Sequence, residues 1–89
     1  MKGIVRFRSR QGQHVAIETE DGDYAVARVP GAELDINDQV FGDLINPGSG
    51  RLSRAPDGSV CIYLQACRLR EAAAREQIES LAVYVDSCN

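Results

Sequence analysis

The sequence predicts an all-β fold, a small antiparallel barrel of five or six strands followed by a C-terminal α-helix. Three observations carry that prediction. Asp21-Gly22 and Asp57-Gly58 each separate two strand-like runs, and Asp-Gly supplies the positive φ angles that a tight hairpin demands. Val29-Pro30-Gly31 ends a strand and Asn46-Pro47-Gly48-Ser49-Gly50 marks a longer turn, since proline cannot donate to a ladder. After Leu69 the period changes: Ala74, Ile78, Leu81 and Val85 fall on one stripe of a helix, while Arg70, Glu71, Arg75, Glu76 and Glu79 lie mostly elsewhere.

The expected strands cover residues 2–10, 13–20, 23–29, 39–45, 50–55 and 59–67, with one helical turn within 31–36. A chain of 89 residues buries only about 60–65% of its unfolded surface, so residues 1–67 must share one core. Residues 68–85 form the amphipathic helix, which packs on the barrel or on a partner. Glu71 and Arg75 stand in the favoured i, i+4 order and support its first turns.

Register follows from alternation. On the first strand Val5, Phe7 and Ser9 face one way and Arg6, Arg8 and Arg10 the other; on the second, Val15, Ile17 and Thr19 oppose His14, Ala16 and Glu18. A three-residue loop at Gln11, Gly12 and Gln13 pairs Phe7 with Ile17, Arg10 with His14 and Arg6 with Glu18, whereas a two-residue loop sets Arg8 against Val15. The longer loop keeps apolar against apolar. A two-residue Asp21-Gly22 turn then pairs Thr19 with Tyr24 and Ile17 with Val26, which sends Tyr24 and Val26 inward and leaves Ala25, Ala27 and Val29 outside with Ala16.

Charge is unevenly spread. The chain carries a formal net charge of -3, yet residues 1–17 hold Lys2, Arg6, Arg8 and Arg10 and no acid. Residues 18–43 hold eight acidic side chains against Arg28 alone, a balance of 1 − 8 = -7. Such a dipole steers an anionic ligand toward the first strand and away from the loops. The competing account pairs Arg6 with Glu18 and leaves the other cations as a solvated face that resists edge-to-edge aggregation.

Other function classes find less support. No apolar run approaches the roughly 20 residues of a membrane helix, and no apolar signal core follows the first charges, so a cytoplasmic protein is expected. Cys61, Cys67 and Cys88 lack the paired spacing of a zinc or redox motif, and His14 is the one histidine; no metal or cofactor is expected, and Cys61 and Cys67 are expected as buried free thiols on one side of a strand. There is no paired nucleophile and base and no phosphate-cradling glycine loop, so no enzymatic activity is expected.

The stretch KGIVRFRSRQG, then a strand, then EDGD and YAVARV, resembles the opening of the cold-shock domain, a barrel of the OB type; Leu34 to Val40 resembles that family's lead into its fourth strand. The likeness spans roughly residues 1–67. It implies single-stranded RNA or DNA lying across the first three strands, with bases stacked on aromatic side chains and phosphates held by cations. Lys2 and Arg6 match the family's basic positions and Phe7 its first-strand aromatic, and Arg8, Arg10 and His14 complete the expected nucleic-acid-binding set. The family's aromatic-glycine-aromatic run is here Gln13-His14-Val15, and its third-strand aromatics fall nearest Ala25 and Ala27, so the stacking platform is depleted. The alternative is a protein-interaction or dimerisation module whose outer alanine face is covered by the stripe Ala74, Ile78, Leu81 and Val85, from the same chain or from a second copy.

Overall fold

Period-two alternation sorts side chains inward and outward along six strands, and the chain closes them on themselves. In the computed structural model, which describes residues 1–10, 13–31, 34–54 and 58–88 and the helix side chains as far as Glu79, the strands are β1 (Lys2–Arg8), β2 (His14–Thr19), β3 (Tyr24–Arg28), β4 (Gln39–Phe41), β5 (Gly48–Arg54) and β6 (Ser59–Leu69). They form a closed antiparallel barrel in the order β1-β2-β3-β6-β5-β4, followed by one helix, α1 (Glu71–Cys88). Closure removes every free sheet edge. The helical turn expected within 31–36 falls partly on residues 32 and 33, outside the described residues; Ile36 and Asn37 form a turn whose backbone continues the β1 ladder, Asn37 N donating to Val5 O at 2.8 Å and Val5 N to Asp38 O at 3.0 Å.

Two apolar clusters hold the fold. The first fills the barrel with Val5, Val15, Ile17, Ala25, Ala27, Val29, Leu34, Val40, Leu44, Leu52, Val60, Ile62 and Leu64. Gly3 lets the walls meet there, since a Cβ at that position would collide with Ile17 Cγ2 and stand 2.8 Å from Leu44 Cδ1. The second lies outside the barrel, where Ala16, Tyr24 and Val26 are buried against Ala74 and Ile78 of α1, with Phe7, Ala66 and Leu69 at its margin. Leu81 and Val85, the rest of the expected stripe, lie beyond the described side chains.

Both N-terminal hairpins differ from the expected register, and the differences redistribute the faces. Val5 pairs with Ile17, but Phe7 pairs with Ala16 and Arg8 with Val15, so Arg6 is an extra residue in β1. A bulge of this kind reverses the facing of all that follows it. Phe7 therefore lies on the outer face, not inward against Ile17. Ser9, not Arg10, meets His14, its N–H donating to His14 O at 2.8 Å.

At the second hairpin Thr19 N donates to Asp23 O at 2.8 Å and Gly22 N to Thr19 O at 2.9 Å. The loop is thus the three residues Glu20, Asp21 and Gly22, with Gly22 in the left-handed region at φ 88°. One added loop residue slides β3 by one, pairing Glu18 with Tyr24, Ile17 with Ala25 and Val15 with Ala27. Ala25, Ala27 and Val29 enter the core while Tyr24 and Val26 turn outward, the reverse of the expected arrangement.

The C-terminal half shows the same device. β4 stops at Phe41, because Asp43 Oδ1 accepts from Ile45 N at 3.0 Å and Asn46 N at 3.1 Å and so curls the chain. β6 pairs Ala27 with Leu64 but Val26 with Ala66, which makes Gln65 an extra residue. Beyond it Ala66 joins the outer cluster and Cys67 packs on the core, its Sγ donating to Ile45 O at 3.2 Å. Cys61 lies before the bulge and is exposed, so the two thiols do not share a side.

Candidate nucleic-acid interface

The bulge in β1 and the docking of α1 decide what surrounds the expected binding residues. Arg6 Nε donates to Glu18 Oε1 at 2.9 Å, and Arg8 Nη1 lies 3.4 Å from Asp35 Oδ1. Phe7 stacks on Tyr24 with ring centroids 5.8 Å apart and planes 16° from parallel. The Arg75 guanidinium sits over the Phe7 ring, 4.7 Å from its centroid. Arg6, Phe7 and Arg8 converge with Arg75, Ile36 and Glu79 on a cleft of about 290 Å³ between β1 and α1. Three guanidiniums face it, but four carboxylates stand at or beside it: Glu18 and Asp35 against the β1 arginines, Glu71 at 3.9 Å from Arg75, and Glu79.

The other expected residues lie apart from that cleft. Lys2 opens β1, paired with Phe41, and borders a hollow of about 210 Å³ shared with Glu18 and Glu20. Arg10 is exposed in the turn after β1 and already engaged with a neighbouring group. His14 opens β2 opposite Arg28, and its pKa is lowered from 6.5, first by burial and then by the Arg28 charge.

His14 belongs to a second constellation. Directly paired residues share a face of a sheet, and the pairs His14 with Arg28, Arg28 with Tyr63 and Tyr63 with Ser49 run across β2, β3, β6 and β5 as one outward row. In the neighbouring row Arg51 pairs with Cys61, its Nη2 donating to Cys61 Sγ at 3.8 Å. Tyr63 is 50% exposed and rises between small neighbours, Ser49 and Cys61. No acidic residue occurs in β3, β5 or β6, and Arg28 and Arg51 have no carboxylate partner among the described residues. Ala74 and Ile78 rest on Ala16 and on the Tyr24–Val26 end of β3, while Arg28 and Tyr63, farther along β3 and β6, stay exposed.

Nothing in the alternation of the first strand points to Arg28, Arg51 or Tyr63. The signal that does is a second basic stretch: residues 44–70 hold Arg51, Arg54, Arg68 and Arg70 against Asp57 alone. Among the described residues no three His, Cys, Asp or Glu side chains converge to hold a metal ion, and no described helix is long and apolar enough to cross a membrane. Compared with known protein families, curated proteins and solved structures, the chain matches none.

Proposed function

We propose that this chain binds single-stranded nucleic acid. One observation carries the reading: the six strands together hold seven cations, Lys2, Arg6, Arg8, Arg28, Arg51, Arg54 and Arg68, and one carboxylate, Glu18. The other twelve acidic residues (13 − 1) lie in the connections and the helix. An acidic chain that keeps its barrel wall cationic presents a polyanion with a favourable surface in spite of its net charge. Unpaired bases suit the convex wall better than a duplex, since exposed aromatic side chains stack only on bases that are free of a partner. The cold-shock-like pattern of strands and turns supports the same reading, with an OB-type barrel as its frame.

The protein-interaction alternative draws on the helix stripe, and Ala74 and Ile78 are occupied by the chain's own barrel. That favours a monomer over a dimer built on those two residues. The function is tested by fluorescence anisotropy with labelled U and dT oligonucleotides about twelve residues long. Binding at low salt is expected to weaken as salt rises, with a log–log slope of about −1.4 to −2 for two or three phosphate contacts on a single strand. Absence of binding at the lowest salt would contradict the proposal.

A further inference from the structure

We infer that single-stranded nucleic acid binds on the part of the β3, β6 and β5 wall that α1 leaves open, with Tyr63 as the base-stacking platform and Arg28 and Arg51 as phosphate contacts on either side of it. This rests on the nucleic-acid reading and names its site, away from the first-strand face. At β1 each guanidinium already meets a carboxylate, and the Phe7 ring is engaged by Tyr24 and Arg75. A phosphate arriving there must displace Glu18 or Asp35, and a base finds no open aromatic face.

Around Tyr63 neither obstacle exists: the connection carboxylate that reaches β5, Asp38, lies 3.4 Å from Arg54 and not on Arg28 or Arg51. Arg28 is directly opposite Tyr63 on one side, and on the other Arg51 is two residues along β5 from Ser49, the partner of Tyr63. Side chains so placed in adjacent strands stand within about 5 to 8 Å of one another at the Cα atoms, near enough to flank a single stacked base. The ring is half exposed above serine and cysteine side chains too small to cover it. Guanidinium groups donate in a planar fork to phosphate oxygens, and here they do so without a competing carboxylate. His14, held neutral more readily by burial and by Arg28, ends the row as a hydrogen-bonding group.

The test is an anisotropy titration of labelled U and dT oligonucleotides against the wild-type chain, Tyr63→Ala, Tyr63→Phe, the pair Arg28→Ala with Arg51→Ala, and the pair Arg6→Ala with Arg8→Ala. Loss of a stacking platform is expected to weaken binding about 5- to 150-fold in Tyr63→Ala, while Tyr63→Phe stays within about twofold. Removing Arg28 and Arg51 lowers the salt slope by about 1.4, and removing Arg6 and Arg8 leaves it nearly unchanged. With dU added beside U and dT, a preference between U and dU reports contact with the 2′-hydroxyl, and either order supports the site. If the wild type binds and Tyr63→Ala binds equally well, the wall is overturned while the function stands. If the wild type binds no oligonucleotide, both readings fall together.

Discussion

On one side of the barrel Ala16, Tyr24 and Val26 lie beneath Ala74 and Ile78, and the arginines of β1 meet Glu18 and Asp35. Farther along the same outward surface of β3 and β6 Tyr63 stands half exposed beside Arg28, and β3, β5 and β6 carry no acid at all. What separates the two regions is where the helix lands and where the carboxylates of the connections reach. Small and apolar outward residues make a seat for α1, and packing of an apolar face of this kind supplies most of a helix's stability in a folded chain. Where the outward residues become polar and cationic, at Arg28, Ser49, Arg51 and Tyr63, the surface is left open.

The largest expected contrast lies in folding stability. Ala16→Glu sets a charge under Ala74 and Ile78, and a buried uncompensated carboxylate costs about 3 kcal/mol or more. Tyr63→Ala, at an exposed position, changes stability by no more than about 0.5 kcal/mol. Urea denaturation followed by circular dichroism measures both; equal losses would mean that the helix does not rest on Ala16.

A smaller effect separates the two aromatic sites. Arg75→Ala removes the cation over Phe7 and is expected to cost about 0.5–1 kcal/mol, as for other exposed cation–π pairs. Its oligonucleotide affinity should stay at the wild-type value. A marked loss of affinity in Arg75→Ala with stability unchanged would move the binding site back to the β1 cleft.

The smallest expected effect is in pH. His14 has its pKa lowered in the folded chain, by burial first and by Arg28 second, so the unfolded chain binds the extra proton more readily. Stability from this residue is fully present above the unfolded value of about 6.5 and is lost as pH falls from there through the folded value. His14→Gln is expected to flatten that part of the stability profile. An unchanged profile would show that His14 is solvated like a free imidazole.

Much of the barrel is legible in the sequence because turn residues and period-two alternation are local signals. The order of the six strands and the helix after Leu69 follow from them, although β5 starts at Gly48, inside the stretch read as a turn, and β4 ends at Phe41. Facing is harder to read, since one residue reverses it. The extra residue at Arg6 turns Phe7 out, and the third loop residue at the Asp21-Gly22 turn exchanges Ala25 and Ala27 with Tyr24 and Val26. Nothing in the local pattern distinguishes a two-residue from a three-residue loop at Asp-Gly; the choice is made by Ala16 and Val26, which are small or apolar enough to lie under a helix distant in sequence. Asp35 is equally remote from Arg8, so the ion pair that engages it depends on the closed barrel and not on the first strand.

In the proposed reading nucleic acid rests on Tyr63, Arg28 and Arg51, and not on the β1 cleft beside the helix. The direct measurement is two-dimensional NMR of the labelled chain titrated with a short U oligonucleotide. The account predicts saturable shifts at the amides of Arg28, Ser49, Arg51, Cys61 and Tyr63, with those of Arg6, Phe7, Arg8 and Arg75 unmoved. Shifts confined to the second group, or no shifts at all, would contradict it.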